Sequence, residues 1–165
     1  MNQMIVLATL AASAAACPGS SAFISAKCEM DVKFDQPCSV VKAEMEARIA
    51  GVNGWVDPKT NPGSYNLDNA TDTSTGFSRT TGDGQYTDKV TLDFSEEAGC
   101  AVRMCSQSQV TSVADFDTNY CNMWNLYAPA AGVAQAELTF SEAFRSCRNP
   151  TLPASQDSGT SSCFR

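Results

Sequence analysis

Hydrophobic and polar residues recur along this chain with periods that name its elements. Over residues 35–50, Cys38, Val41, Met45 and Ile49 fall at spacings of three and four, while Lys42, Glu44, Glu46 and Arg48 fall mainly on the other faces. That pattern predicts one amphipathic helix. Asp35 is placed to cap it, Pro37 sits in its first turn where a missing amide costs nothing, and Gly51 and Gly54 follow as stop signals. The best strand spans residues 89–95, where Val90, Leu92 and Phe94 alternate with Thr91 and Asp93. A loop over 96–99 returns the chain along 100–109. There Cys100, Val102 and Met104 share one face, and Ala101, Arg103 and Cys105 the other. Cys100 and Cys105 therefore point to opposite sides and should reach different partners.

Other segments carry weaker periods. Trp55, Pro58, Pro62 and Gly63 mark an irregular crossing into a short strand over 64–67, with a second strand over 77–80 and turn chemistry at Thr81, Gly82, Asp83 and Gly84. Residues 110–127 read as a loop followed by a strand or short helix. Residues 133–148 read as a strand through Leu138 and Phe140, then a helical turn holding Phe144 and Cys147. Residues 149–165 are Pro-, Ser- and Thr-rich and predict a loose tail that Cys163 pins back. The fold class that follows is α+β: one N-terminal amphipathic helix packed on a curved antiparallel sheet, forming a single domain over residues 17–148. Cystatin-like folds share this helix-then-strands order, an architectural analogy that carries no function.

Cysteine usage narrows the compartment. Residues 4–10 are apolar and 11–16 alanine-rich, so residues 1–16 read as a secretory signal. The apolar run is short of the ~20 residues that span a bilayer. Cleavage after Ala16 leaves all eight cysteines: Cys17, Cys28, Cys38, Cys100, Cys105, Cys121, Cys147 and Cys163. Cleavage after Ala22, or lipidation of Cys17, leaves an odd number, so parity favours the first cut. Four bridges among eight cysteines allow roughly 105 connectivities. No Cys-x-x-Cys spacing occurs, which argues against a zinc ribbon or a thioredoxin-like pair. Ser21-Ala22-Phe23 also resembles the junction of a two-part plastid presequence, but Glu29, Asp31 and Asp35 follow at once and favour export.

Charge and the absence of histidine narrow the chemistry. The net charge is −7 and Lys and Arg are dispersed, so nucleic acid is not the expected partner. With no histidine, Ser-His-Asp and Cys-His mechanisms are excluded. A Ser-Lys dyad would have to draw on Lys27, Lys33, Lys42, Lys59 or Lys89, all of which read as surface positions. A carboxylate pair for glycoside hydrolysis could come from Asp57, Asp83, Asp88, Asp115 and Asp117, none of which stands apart from loop acids. Asp115, Asp117 and Asn119 alternate as in a calcium loop, but Tyr120 and Leu126 occupy the positions an EF-hand gives to Gly and Glu, so a turn is the better reading and no metal is expected. Asn69-Ala70-Thr71 is a glycosylation sequon, whereas Pro150 excludes Asn149.

The best binding surface is the aromatic and amide-rich segment from Asp115 to Tyr127, which includes Asn122 and Asn125 and offers Asp115, Asp117, Asn119, Tyr120 and Trp124 as the binding candidates. The competing reading is core, because Phe116, Tyr120 and Trp124 recur at helical spacing.

Three stretches carry a resemblance: Trp55-Val56-Asp57-Pro58 with Asn61-Pro62-Gly63-Ser64-Tyr65, the run from Gly82 through Lys89, and Cys105-Ser106-Gln107-Ser108-Gln109 through Asn122. Together they resemble small secreted cysteine-containing proteins of diatoms, dinoflagellates and other microalgae. The resemblance covers roughly residues 28–147 and implies export and a single domain, with no catalytic residue. The sequence thus predicts a secreted, non-catalytic module without a cofactor, binding an extracellular glycan, small ligand or protein. The alternatives are a wall or matrix component, a secreted hydrolase inhibitor, and a small carboxylate enzyme.

Overall fold

Strict period-two alternation begins earlier than the helix. In Lys27–Phe34 (β1), Cys28, Met30, Val32 and Phe34 are buried while Lys27, Glu29, Asp31 and Lys33 face out. The computed structural model of the chain describes residues 17–59, 61–112, 115, 117–129, 136–148 and 163. After β1 come α1 (Cys38–Ile49), a 3-10 turn (Val52–Gly54), β2 (Ser64–Ala70), β3 (Ser74–Thr80), β4 (Thr87–Glu97), β5 (Gly99–Ser108), α2 (Thr118–Trp124) and β6 (Phe140–Arg148). The strands form one antiparallel sheet of six in the order β2-β3-β4-β5-β1-β6.

The fold is therefore α+β with four disulfides, but the helix is not N-terminal: a strand precedes it, and that strand lies inside the sheet between β5 and β6. Residues 140–148 correct a second expectation. They form one strand and not a strand plus helical turn, because every residue but Ala143, which sits at a bulge, finds a ladder partner on β1. The expected signal segment, residues 1–16, and tail residues 149–162 lie outside the described residues.

Both helices cover one face of the sheet. Val41, Met45 and Ile49 of α1 and Tyr120, Met123 and Trp124 of α2 join Met30, Val32, Leu92, Phe94, Val102 and Met104 in one core. Glu44 and Arg48, expected on polar faces, are also buried. Arg48 Nε donates to Glu44 at 2.7 Å, and Arg48 Nη1 donates to the carbonyls of Asn125 and Ala128 at 2.9 Å, fixing α1 against the end of α2. A buried charge survives when it is paired and fully bonded, and this pair meets that condition.

The N-terminus of α1 is capped from a distance. Pro37 takes the N-cap place without a side-chain bond, and the Glu96 carboxylate at the end of β4 accepts from the amide of Cys38 at 3.1 Å. The expected cap, Asp35, is not the capping residue.

The bridges are Cys17–Cys105, Cys28–Cys147, Cys38–Cys100 and Cys121–Cys163. Cys100 reaches α1 on the helix-covered face, and Cys105 reaches Cys17 on the other, as strand parity required. Among the described residues, no helix is long and apolar enough to cross a membrane.

Candidate functional site

One end of the helix-covered face is polar. Tyr65, Arg79, Asp88 and Ser108 are direct partners across β2, β3, β4 and β5, so their side chains stand in a row. Two residues along, Phe77 and Val90 restore an apolar floor. The polar row is roofed by α2 and flanked by the loop before β2.

The loop delivers Asp57. Its Oδ2 accepts from Arg79 Nε at 2.8 Å, Arg79 Nη2 at 2.7 Å and the amide of Gly63 at 2.8 Å. Its Oδ1 accepts from the Lys59 amide at 3.2 Å and from Asn125 Nδ2 at 3.3 Å. Gly63 permits this approach, because a Cβ there would press into the Arg79 guanidinium.

The roof supplies three amides. Asn119, Asn122 and Asn125 recur every three residues and turn one side of the last helical turns to the sheet. Asn119 Nδ2 donates to Asp115 Oδ1 at 2.6 Å and to Ser108 Oγ at 3.1 Å, and Asn119 Oδ1 accepts from Ser106 Oγ at 2.7 Å. Asn122 Nδ2 donates to Asp88 Oδ2 at 2.8 Å, while Ser108 Oγ donates to Asp88 Oδ1 at 2.7 Å. The carboxylates of Asp57 and Asp88 fix which end of each amide faces them, since a carboxylate can only accept.

Four buried atoms in this network are under-bonded: Arg79 Nη1, Asn122 Oδ1 and Asn125 Oδ1 have no hydrogen-bond partner among the described residues, and Tyr65 Oη has only the Asn125 side chain beside it. Buried polar atoms are rarely left so, because each costs about 1–3 kcal/mol. The Tyr65 hydroxyl feels Asp57, Arg79, Asp88 and Asn125 together, and burial first and the Asp57 charge second push its ionisation well up. It stays a neutral hydroxyl, able both to donate and to accept.

The rim is charged and half-exposed. Burial lowers the Lys59 ammonium pKa, and Arg79 adds to the effect, against the pull of Asp115, Asp57 and Asp117. Burial raises the Asp115 carboxyl to about 6, with Asp88 adding, while bonds from Asn119 hold it down. An acid and a base are thus brought toward each other at the mouth of the polar row.

The five residues expected to bind separate into two places. Asp115 and Asp117 stand at the rim and Asn119 in the buried network. Both Asp115 oxygens accept from Asn119, so the segment is a turn that starts α2. Tyr120 and Trp124 lie elsewhere in the interior. Tyr120 donates to Glu142 at 3.1 Å beneath Arg145, and Trp124 packs on Tyr127 and Phe140. These rings are buried and do not form a stacking surface.

Of the scattered acids, Asp57, Asp88 and Asp115 converge. Asp83 does not, because it shapes an exposed turn by accepting from Thr81 and Gln85. Lys59, read from sequence as an ordinary surface position, joins the site. Tyr65 and Arg79 were not foreseen, whereas Asn122 and Asn125 belong to the amide-rich segment expected to bind. The signal for the amides was present in the three-residue spacing of the asparagines, masked by aromatics spaced four apart.

Among the described residues, one group of cysteine and acid side chains is close enough to hold a cation: Cys17, Glu29 and Cys105. Both sulfurs are spent in a disulfide. No family model, curated protein or solved structure matches the chain.

Proposed function

We propose that the protein is an exported binding module that takes a small, neutral, hydroxyl-rich ligand, such as one sugar unit, at the polar row beneath α2. The observation that carries this reading is the set of four under-bonded buried atoms. Arg79 Nη1 offers a donor, Asn122 Oδ1 and Asn125 Oδ1 offer acceptors, and Tyr65 Oη offers either. Neighbouring hydroxyl groups, which donate and accept in turn, satisfy such a set.

Charge favours a neutral ligand. Asp57 and Asp88 repel an anion, Arg79 and Lys59 repel a cation, and the two signs interleave within one network. Asp57 and Asp88 are committed to fixed donors, which supports binding over carboxylate catalysis. Four bridges and the lack of a membrane-length helix among the described residues support export.

The test is calorimetric titration of the disulfide-intact chain with neutral monosaccharides, uronic acids and amino sugars. Neutral sugars should bind, and Tyr65→Phe should weaken them roughly tenfold by removing one hydrogen bond. That variant keeps the ring contacts with Trp55 and Phe77, and a melting curve of the unliganded protein measures what loss of the contact with Asn125 costs. Silence across the panel, with ordered water found on all four atoms, would overturn the reading.

A further inference from the structure

The two edges of the sheet are guarded unequally. The β6 edge carries Glu142, Arg145 and Arg148. The β2 edge, Ser64–Ala70, carries Asp68 as its single charge and holds Leu67 at 52 % exposure. Every β2 residue except Tyr65 is exposed, and one side of the strand has no neighbouring strand among the described residues. Such an edge invites pairing with another chain unless something blocks it.

Asn69 lies on that edge, exposed, where the pairing with β3 slips in a bulge between Leu67 and Asn69. It opens the sequon Asn69-Ala70-Thr71. Its amide lies against Gly76 of β3, where an added Cβ would come within 2.8 Å of Asn69 Nδ2 and 3.0 Å of Oδ1. Gly76 thus leaves room for the Asn69 amide beside the outer strand.

We propose that Asn69 carries an N-linked glycan and that this glycan guards the β2 edge against pairing with a second β strand. In the transfer, Asn69 Nδ2 attacks C1 of an oligosaccharide carried on a lipid diphosphate. The C1–N bond forms, the C1–O bond to the diphosphate breaks, the lipid diphosphate leaves with the bonding electrons, and one Nδ2 proton passes to base. No electrons change hands. The bulge and the glycan then supply the protection that charge gives β6.

The test expresses the full chain in a eukaryotic secretory host and examines protein from medium and lysate alike. Intact mass should fall on treatment with a glycan amidase, and peptide mapping should then read Asp at position 69. Asn69→Gln and Thr71→Ala should each abolish the shift. The unglycosylated Asn69→Gln protein, which adds no charge to the edge, should self-associate at micromolar concentration in sedimentation, while the glycosylated protein stays monomeric. Leu67→Lys, which puts a charge on the edge, should restore the monomer in the Asn69→Gln background. An unmodified Asn69 in the expressed protein, or identical sedimentation with and without the glycan, would overturn the proposal.

Discussion

Replacing Arg79 by methionine removes the cation of a pair in which both side chains are 1 % exposed. Asp57 then keeps three donors, the amides of Gly63 and Lys59 and the Asn125 carboxamide, but loses both guanidinium bonds. Breaking a buried pair from one side costs about 3–5 kcal/mol, most of it the charge left behind. In a domain of this size that lowers Tm by roughly 6–20 °C. Urea denaturation of the oxidised protein measures it directly as a fall in midpoint at constant slope. Asp57→Asn made in the Arg79→Met background separates the two contributions. It removes the stranded charge and should recover part of the loss, so the double-mutant cycle should show coupling above ~2 kcal/mol. A single-variant cost below ~1 kcal/mol, with an additive cycle, would refute the claim that this pair is buried and interdependent.

Acid titration tests the rim. Asp115 is raised to about 6 in the folded protein, against ~3.9 for an unperturbed aspartate, so the folded state holds the extra proton between these values. Its contribution to stability is therefore fully present below the unfolded value and is lost as pH rises through about 6. Asp115→Asn should flatten that part of the wild-type stability profile, and superimposable profiles would count against the shift. Gly99→Ala should destabilise by at least ~2 kcal/mol, because φ is +98° and the new Cβ meets the Phe34 carbonyl oxygen; a neutral substitution in a melting experiment would contradict this. Non-reducing peptide mapping should find Cys17 joined to Cys105, with Cys17 as the first residue of the secreted chain. A chain starting at Phe23 would leave Cys105 without its partner.

Local pattern made some of this protein legible. Helix α1 and strands β4 and β5 were readable because their periods are long and clean. The alternation in β1 is equally clean, but it follows closely on the segment read as a signal and is easily passed over with it. β6 looked helical because Phe140, Phe144 and Cys147 share a spacing that suits a turn, while the pairing that holds it straight comes from β1, more than a hundred residues away. The site was harder to read for the same reason. Asp57, Arg79 and Asp88 each look like ordinary polar residues until the ladder sets Arg79 beside Asp88 and folds the Asp57 loop over both. Glu44 and Arg48 were misplaced because a sequence does not reveal that two charges will be buried together.

The place of β1 between β5 and β6 imposes an order on synthesis. The first strand to leave the ribosome cannot be paired until Cys100 through Gln107 and then Phe140 through Arg148 have followed it. On the exported reading, Cys28 waits unpaired in an oxidising compartment during that interval, with Cys17 before it and Cys38 after it at nearly equal spacing. Short loops close at the lowest entropic cost, so bridges from Cys28 to either neighbour would compete with its final partner, Cys147. On that reading, disulfide exchange should limit the rate of folding, and an isomerase should raise it.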